Sequence, residues 1–398
     1  MARFKLLMVD HTVHRMVHYR LVLYALVVCL LLCILVVQEL QISPKASTHH
    51  VHHIETNALV VETQTTRLMR ANLTCPGAPR QIILLTYGRS GSSLTTDIIQ
   101  RQEGVFTYYE PLHNLAKTFE KHQMLYKKKY GHYLHLTTIP DYRSRALDIL
   151  DRLMSCDYDN LPHVALANIH MRLYDTAEMF RCLRREKTPP GHDRCLQDGK
   201  KKCLEKSIHF LKVIRLTVES VGKLMRKFPC LKLVYLVRDP RGSFLSKKRA
   251  FNMLTTNTTY EAERYCRRVG KDIDSALLLS TNYPDRVQIT RYENIAEQPQ
   301  VTSVKLYNYL GLNFTEQTAE YIYNITQAGA DDVRVYSTAR RNSSEVCYAW
   351  RVKITFSDVT AFDSQCPEVY YKLGYLPANT ESDLRNMKKS LKFEKRYI

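Results

Sequence analysis

Thr86-Tyr87-Gly88-Arg89-Ser90-Gly91-Ser92-Ser93-Leu94 is the stretch whose reading decides the fold of this chain. It follows Ile82-Ile83-Leu84-Leu85, an apolar run short and β-branched enough for a buried strand, and precedes Leu94-Thr95-Thr96-Asp97-Ile98-Ile99, whose apolar spacing suits a helix. A strand, a loop of small residues and a helix in that order aim several backbone N–H groups and the positive end of a helix at one spot, where an anion fits. Gly88 and Gly91 let the backbone turn and approach a ligand, Ser92 and Ser93 bring hydroxyls, and Arg89 brings a permanent cation with a planar fork of donors. A surface turn with a helix-capping serine is the competing reading of this stretch alone.

The stretch is not the nucleotide loop of ATPases, which needs Gly, four residues and then Gly-Lys-Ser/Thr. A second element shifts the balance. Leu233-Val234-Tyr235-Leu236-Val237 reads as another buried strand and runs into Arg238-Asp239-Pro240-Arg241-Gly242-Ser243-Phe244-Leu245-Ser246. The chain thus carries two strand-to-loop anion sites, each with arginine and serine.

This pair resembles the signature of sulfotransferases that use 3′-phosphoadenosine 5′-phosphosulfate (PAPS), and most of all the Golgi carbohydrate 6-O-sulfotransferases acting on galactose, N-acetylgalactosamine or N-acetylglucosamine. Tyr109-Glu110-Pro111-Leu112, Lys212-Val213-Ile214-Arg215-Leu216, Leu236-Val237-Arg238-Asp239-Pro240-Arg241, Cys366-Pro367 and Leu373-Gly374-Tyr375 fit the same family, so the resemblance spans roughly residues 80–376 with a divergent middle. It implies that Gly88, Arg89, Ser90, Gly91, Ser92, Ser93 and Leu94 bind the 5′-phosphosulfate, and that Arg238, Asp239, Pro240, Arg241, Gly242, Ser243 and Ser246 form the 3′-phosphate site. Within that second loop Arg238 and Ser246 are the expected ligands; Arg241 reads equally well as a helix-start residue without ligand contact. Arg89 is expected to stabilise charge on the leaving group, since a guanidinium is a poor proton donor. Glu110 is the expected base for the acceptor hydroxyl, with His113 the alternative, and Arg340, Arg341, Trp350 and Arg351 are candidates to close over the nucleotide.

The rest of the chain frames these loops. With 398 residues, 58 Lys+Arg and 39 Asp+Glu, it has room for a sizeable core and a formal charge of +19, an excess that favours acidic partners such as an anionic polysaccharide. Residues 21–37 carry no charge; Arg3, Lys5, Arg15 and Arg20 precede them and Glu39 follows. That asymmetry predicts a type II signal-anchor, with residues 1–20 cytoplasmic, 21–37 in the membrane, 38–78 a lumenal stem and 79–398 the catalytic domain. The stem's His49, His50, His52 and His53 read as solvated linker residues. A lumenal chain makes the sequons at Asn72, Asn257, Asn313, Asn324 and Asn342 candidate glycan sites, and favours disulfides among the nine cysteines outside the span. Cys347 with Cys366 is the expected pair near the end, and the basic, turn-rich stretch 181–206 is expected to be a surface insertion stapled by two of Cys182, Cys195 and Cys203.

Strands are predicted near 82–86, 211–216, 232–237 and 287–291, and helices near 93–102, 143–154, 218–228, 260–279, 299–310 and 315–327. The alternation argues for an α/β fold: a P-loop-like parallel sheet flanked by helices, with ligands beyond the carboxyl ends of the strands. The implied partners are a glycan or glycosaminoglycan acceptor and a Golgi membrane, without nucleic acid; a homodimer stays open, and no metal is expected. Two rivals stand beside this reading. One is a P-loop-type kinase, with Asp239 imitating a magnesium ligand; the other is a non-enzymatic membrane protein that binds anionic glycans.

Overall fold

A computed structural model describes residues 80–120, 124–127, 132–135, 138–251, 257–328 and 338–395. The expected cytoplasmic tail, membrane span and stem, with Asn72 and the histidine cluster, lie outside the described residues, and among the described residues no helix is long and apolar enough to cross a membrane.

In chain order the first half runs β1 (Arg80–Thr86), α1 (Ser92–Ile99), β2 (Val105–Tyr109), α2 (His113–Glu120), β3 (Met124–Lys127), β4 (His132–His135), α3 (Ile139–Met154) and α4 (His163–Leu166). Two 3-10 turns, Ile169–Arg172 and Tyr174–Thr176, lead into α5 (Ala177–Arg185) and α6 (Pro189–Leu204). Then come β5 (Ile208–Val213), α7 (Val218–Lys227), β6 (Lys232–Val237), α8 (Pro240–Ala250), α9 (Thr258–Asn282), β7 (Val287–Arg291) and α10 (Tyr292–Glu297). Helices α11 (Pro299–Leu310), α12 (Glu316–Tyr323), α13 (Ser343–Tyr348), α14 (Phe356–Gln365), α15 (Pro367–Leu373) and α16 (Glu381–Arg385) complete the chain.

Five strands pair in parallel in the order β2-β5-β1-β6-β7. The central three are apolar along most of their length because both sheet faces are covered. Ile83, Leu85, Leu211, Val213, Leu233 and Tyr235 pack into one buried cluster, and Ile82, Leu84, Phe210, Val234 and Leu236 into the other. From β1 the chain turns toward β2 at one edge, and from β6 toward β7 at the other. Adjacent strands β1 and β6 therefore send their loops in opposite directions and leave a crevice at their carboxyl ends, the usual ligand position in such sheets.

The α/β expectation holds, and the four predicted strands and six predicted helices all have counterparts. Strand β2 escaped the sequence reading. Residues 181–206 are not a turn-rich insertion but the helical pair α5–α6, because Pro189 and Pro190 stand at the first positions of α6, where a missing N–H costs nothing. That pair is stapled by Cys182–Cys195, while Cys203 bonds Cys156. Cys366 pairs with Cys266 on α9, 100 positions away, and Cys347 is a buried free thiol, which corrects the expected Cys347–Cys366 bridge. Closeness in sequence misled here, since the packing of α14 and α15 on α9 is what brings the partner in.

Three buried arginines hold the C-terminal segment. Arg291, at the end of β7, donates to the carbonyls of Leu373, Gly374 and Phe393. Arg351 donates to the carbonyls of Asp383, Leu384, Asn386 and Lys389. Arg241 donates to Leu376 O and to Asp363. Cations this deep persist only when paired, and here carbonyls and carboxylates take most of their donors, Arg291 Nε excepted.

Candidate active site

The loop after β1 takes the shape that its glycines and serines permit. Arg89 and Gly91 both adopt left-handed backbone angles, φ 73° and 82°. Gly91 is obligatory: a Cβ there would lie 2.0 Å from the Tyr292 ring. As N-cap of α1 it offers no side-chain cap, so the first-turn N–H groups receive no capping side chain. A Cβ on Gly88 would meet nothing within 4 Å, so that side of the loop is open to a ligand. Ser90 and Ser92 are buried, Leu94 is a core residue, and the Ser93 hydroxyl pairs with the Tyr109 hydroxyl at 2.8 Å. Beneath the loop, Tyr87 donates to buried Asp272, which also accepts the N–H of Val218 at the start of α7.

The structure brings the two predicted anion loops together. Arg89 Nε donates to Ser246 Oγ on α8 at 3.0 Å, and Arg238 Nη1 donates to the Arg89 carbonyl at 3.0 Å. The Arg238 guanidinium lies 4.6 Å from the centre of the Tyr292 ring, and its buried Nε has no hydrogen-bond partner among the described residues. A buried donor without an acceptor, on a guanidinium bonded to the Arg89 carbonyl, fits an anionic ligand such as a nucleotide phosphate.

Other members of the second loop are structural. Asp239 caps α8 and grips Arg241 through both carboxylate oxygens, at 3.0 and 2.8 Å. Arg241 is 0% exposed and serves the C-terminal clasp, which favours the helix-start reading over a cofactor contact. With Asp239 so committed, the magnesium ligand of the kinase rival is lost. Pro240 starts α8, Gly242 lets Trp350 pack at what would be 2.9 Å from a Cβ, and Ser243 is buried. Trp350 and Arg351 are buried, at 4% and 2% exposure, in place of the expected closure over a nucleotide. Arg340 and Arg341 stay nearer the surface.

Glu110 follows β2 directly and holds a left-handed φ of 46°. Its carboxylate bonds Lys212 at the end of β5 and, at 2.8 Å, Arg215 Nη1; its carbonyl accepts from Asn168 at 2.8 Å. Burial alone would raise this carboxyl, but the charges and hydrogen bonds of Lys212 and Arg215 overcome it and hold the pKa at about 2. His113 opens α2 nearby, and its pKa is lowered to about 4 by burial, then by Arg215 and His170. Lys212, Arg215, Asn168 and His170 escaped the sequence reading as site residues. A lysine inside the apolar run of β5 was a usable signal for the first; nothing marked His170.

Comparison with known proteins gives a consistent picture. A profile described as the sulfotransferase family matches residues 79–316. Carbohydrate sulfotransferase 1 of Mus musculus is 24% identical over 349 residues, covering 77% of this chain and 81% of the mouse protein. Carbohydrate sulfotransferase 3 of Rattus norvegicus is 24% identical over 355 residues, 79% of this chain and 72% of the rat protein. Carbohydrate sulfotransferase 6 of Homo sapiens is 28% identical over 176 residues, 39% of this chain and 45% of the human protein. Among solved structures, mouse sulfotransferase SULT7A1 complexed with PAP matches with a TM-score of 0.38 at 13% identity, covering 76% of this chain and 86% of that one.

Proposed function

Because the chain belongs to the sulfotransferase family, we propose that it transfers a sulfuryl group from PAPS to the 6-hydroxyl of a galactose, N-acetylgalactosamine or N-acetylglucosamine residue in a glycan. The observation that carries this reading is the junction of Arg89, Ser246 and Arg238, which gathers the cations and hydroxyls of both anion loops into one crevice. The names of the relatives support a carbohydrate acceptor. The three disulfides between described cysteines and the charge asymmetry around residues 21–37 support a single-pass type II Golgi protein with a lumenal catalytic domain.

PAPS, as co-substrate, supplies an electrophilic sulfur and a bisphosphate leaving group. The loop 88–94 offers its N–H groups and hydroxyls to the 5′ end, and Arg238 with Ser246 takes the 3′-phosphate. Arg89, released from Ser246 when a phosphate takes that hydroxyl, neutralises the charge that grows on the leaving oxygen. Glu110 accepts the acceptor's proton. A carboxylate held at about pKa 2 is a weak base toward a free alcohol. It suffices once the bond to sulfur is well advanced, because the attacking oxygen has then become strongly acidic, and Lys212 and Arg215 keep it ionised and aimed.

The test is transfer of radiolabelled sulfate from PAPS to chondroitin, desulfated keratan and N-acetylglucosamine-terminated glycans. Incorporation into one class at the 6-position is expected. No incorporation into any of them, with no binding of 3′,5′-bisphosphoadenosine by calorimetry, would refute the proposal.

A further inference from the structure

The Glu110 carboxylate faces two imidazoles as well as two cations. His170 Nε2 lies 3.8 Å from Glu110 Oε2, and the His113 and His170 rings meet edge-on with centroids 4.5 Å apart. One ligand atom from each of the three residues lies within 4.8 Å of the other two. His113 Nδ1 is buried and has no hydrogen-bond partner among the described residues, an arrangement that wastes a strong polar group unless something binds there. We propose that Glu110, His113 and His170 form a binding site for an imidazole-preferring divalent cation, zinc above all, and that its occupation inhibits the enzyme by engaging the Glu110 carboxylate.

The donor set selects the ion. Two imidazoles and one carboxylate suit zinc or copper, while magnesium and calcium demand mostly oxygen ligands. Zinc bonds of about 2.0–2.1 Å put tetrahedral ligand atoms about 3.3 Å apart, so the observed spacings need side-chain movements of about an ångström. Three protein ligands leave a fourth position to water. Side-chain exposures of 26% at His170 and 11% at Glu110 give an ion a way in. Lys212 and Arg215 oppose a further positive charge, so binding is weaker than at a closed structural zinc site and reversible, as befits inhibition rather than a resident cofactor. The inhibitory part rests on Glu110 serving the acceptor as proposed above; the binding part does not.

The experiment uses the full chain with the stem histidines His49, His50, His52 and His53 changed to alanine, so that they add no background. Zinc is titrated in competition with a chromophoric chelator, and cobalt(II) serves as the optical probe of tetrahedral geometry. A single zinc per chain is expected, weakened at least about tenfold in His170→Ala and in His113→Ala. His170→Cys keeps a good donor and should bind within about tenfold of the parent. Thermal unfolding of each variant checks the fold. Equal zinc affinity in the parent and both alanine variants, no zinc bound by the parent, or loss of binding in a folded His170→Cys would each overturn the site. In the transfer assay zinc should raise the acceptor KM and leave nucleotide affinity unchanged; competition with the nucleotide instead would overturn the inhibitory role. Should the chain transfer no sulfate at all, the function proposed above fails while the zinc titration still decides the site.

Discussion

Glu110→Gln is expected to lower both the stability of the fold and the rate of transfer, and the two losses can be measured apart. The carboxyl's pKa stands at about 2 in the fold against an ordinary 4.5, with burial pushing it up and Lys212 and Arg215 pulling it down further. At about 1.4 kcal/mol per tenfold, that difference corresponds to about 3 kcal/mol of stabilisation. Because the folded value is the lower one, the contribution is fully present above pH 4.5 and is lost as pH falls toward about 2. Glutamine fits the space but leaves Lys212, whose side chain is 3% exposed, beside a neutral amide. Urea unfolding at pH 7 should therefore show a deficit of about 3 kcal/mol, and at pH 3 the deficit should shrink to less than half. Transfer by the folded variant should fall at least about 100-fold, with nucleotide affinity near that of the parent. An unfolding free energy within about 0.5 kcal/mol of the parent at pH 7, no more than a neutral surface change costs, would refute the ion-pair argument. Retention of more than about a tenth of the parent rate would refute the base assignment.

Arg238→Ala should raise the dissociation constant for 3′,5′-bisphosphoadenosine by roughly 10- to 150-fold, as loss of a charge-assisted contact does, with Ser246→Ala milder; unchanged affinity by calorimetry would remove the second loop from the site. Gly91→Ala should abolish nucleotide binding and lower the melting temperature, since the new methyl would meet Tyr292 at 2.0 Å and the residue holds φ 82°; a variant that binds normally would show the loop to be laxer than this packing. A non-reducing peptide map should recover Cys266–Cys366, Cys156–Cys203 and Cys182–Cys195, with Cys347 alkylated only after denaturation; a peptide linking Cys347 to Cys366 would contradict the fold.

What the sequence revealed and what it hid follow from the range of the forces involved. The loop 86–94 and the strand-to-loop run 233–246 were readable because local spacing and residue type dictate a strand, a tight turn and a helix start. Their convergence at Arg89, Ser246 and Arg238 was foreseeable only through the resemblance, because it depends on β1 and β6 being neighbours in the sheet. The roles of Arg241, open between a ligand contact and a helix-start residue, and of Trp350 were hidden for the opposite reason. An arginine in an anion loop and a lone tryptophan look like ligand contacts, and only tertiary packing shows that they hold each other and the C-terminal segment, with the Arg241 guanidinium 5.0 Å from the Trp350 ring centre. Strand β2 was missed because five residues, Val105–Tyr109, carry little periodicity of their own and gain their strand conformation from pairing with β5. His170, 57 residues beyond His113, gives no local sign that the two rings touch.

The clasp of buried arginines has a consequence for how the protein is made. Arg241 and Arg291 are synthesised long before the carbonyls of Leu373, Gly374, Leu376 and Phe393 that satisfy them. Until those residues are made, Arg291 lacks its carbonyl acceptors, and Arg241, though already gripped by Asp239, lacks the Leu376 carbonyl. The residues of both anion loops, by contrast, precede those carbonyls by more than a hundred positions. A premature stop at position 366 would spare both anion loops and remove every one of those carbonyls. It would also strand Cys266 without its partner, exposing a thiol that folding sensors and quality-control machinery could read as the mark of an unfinished chain.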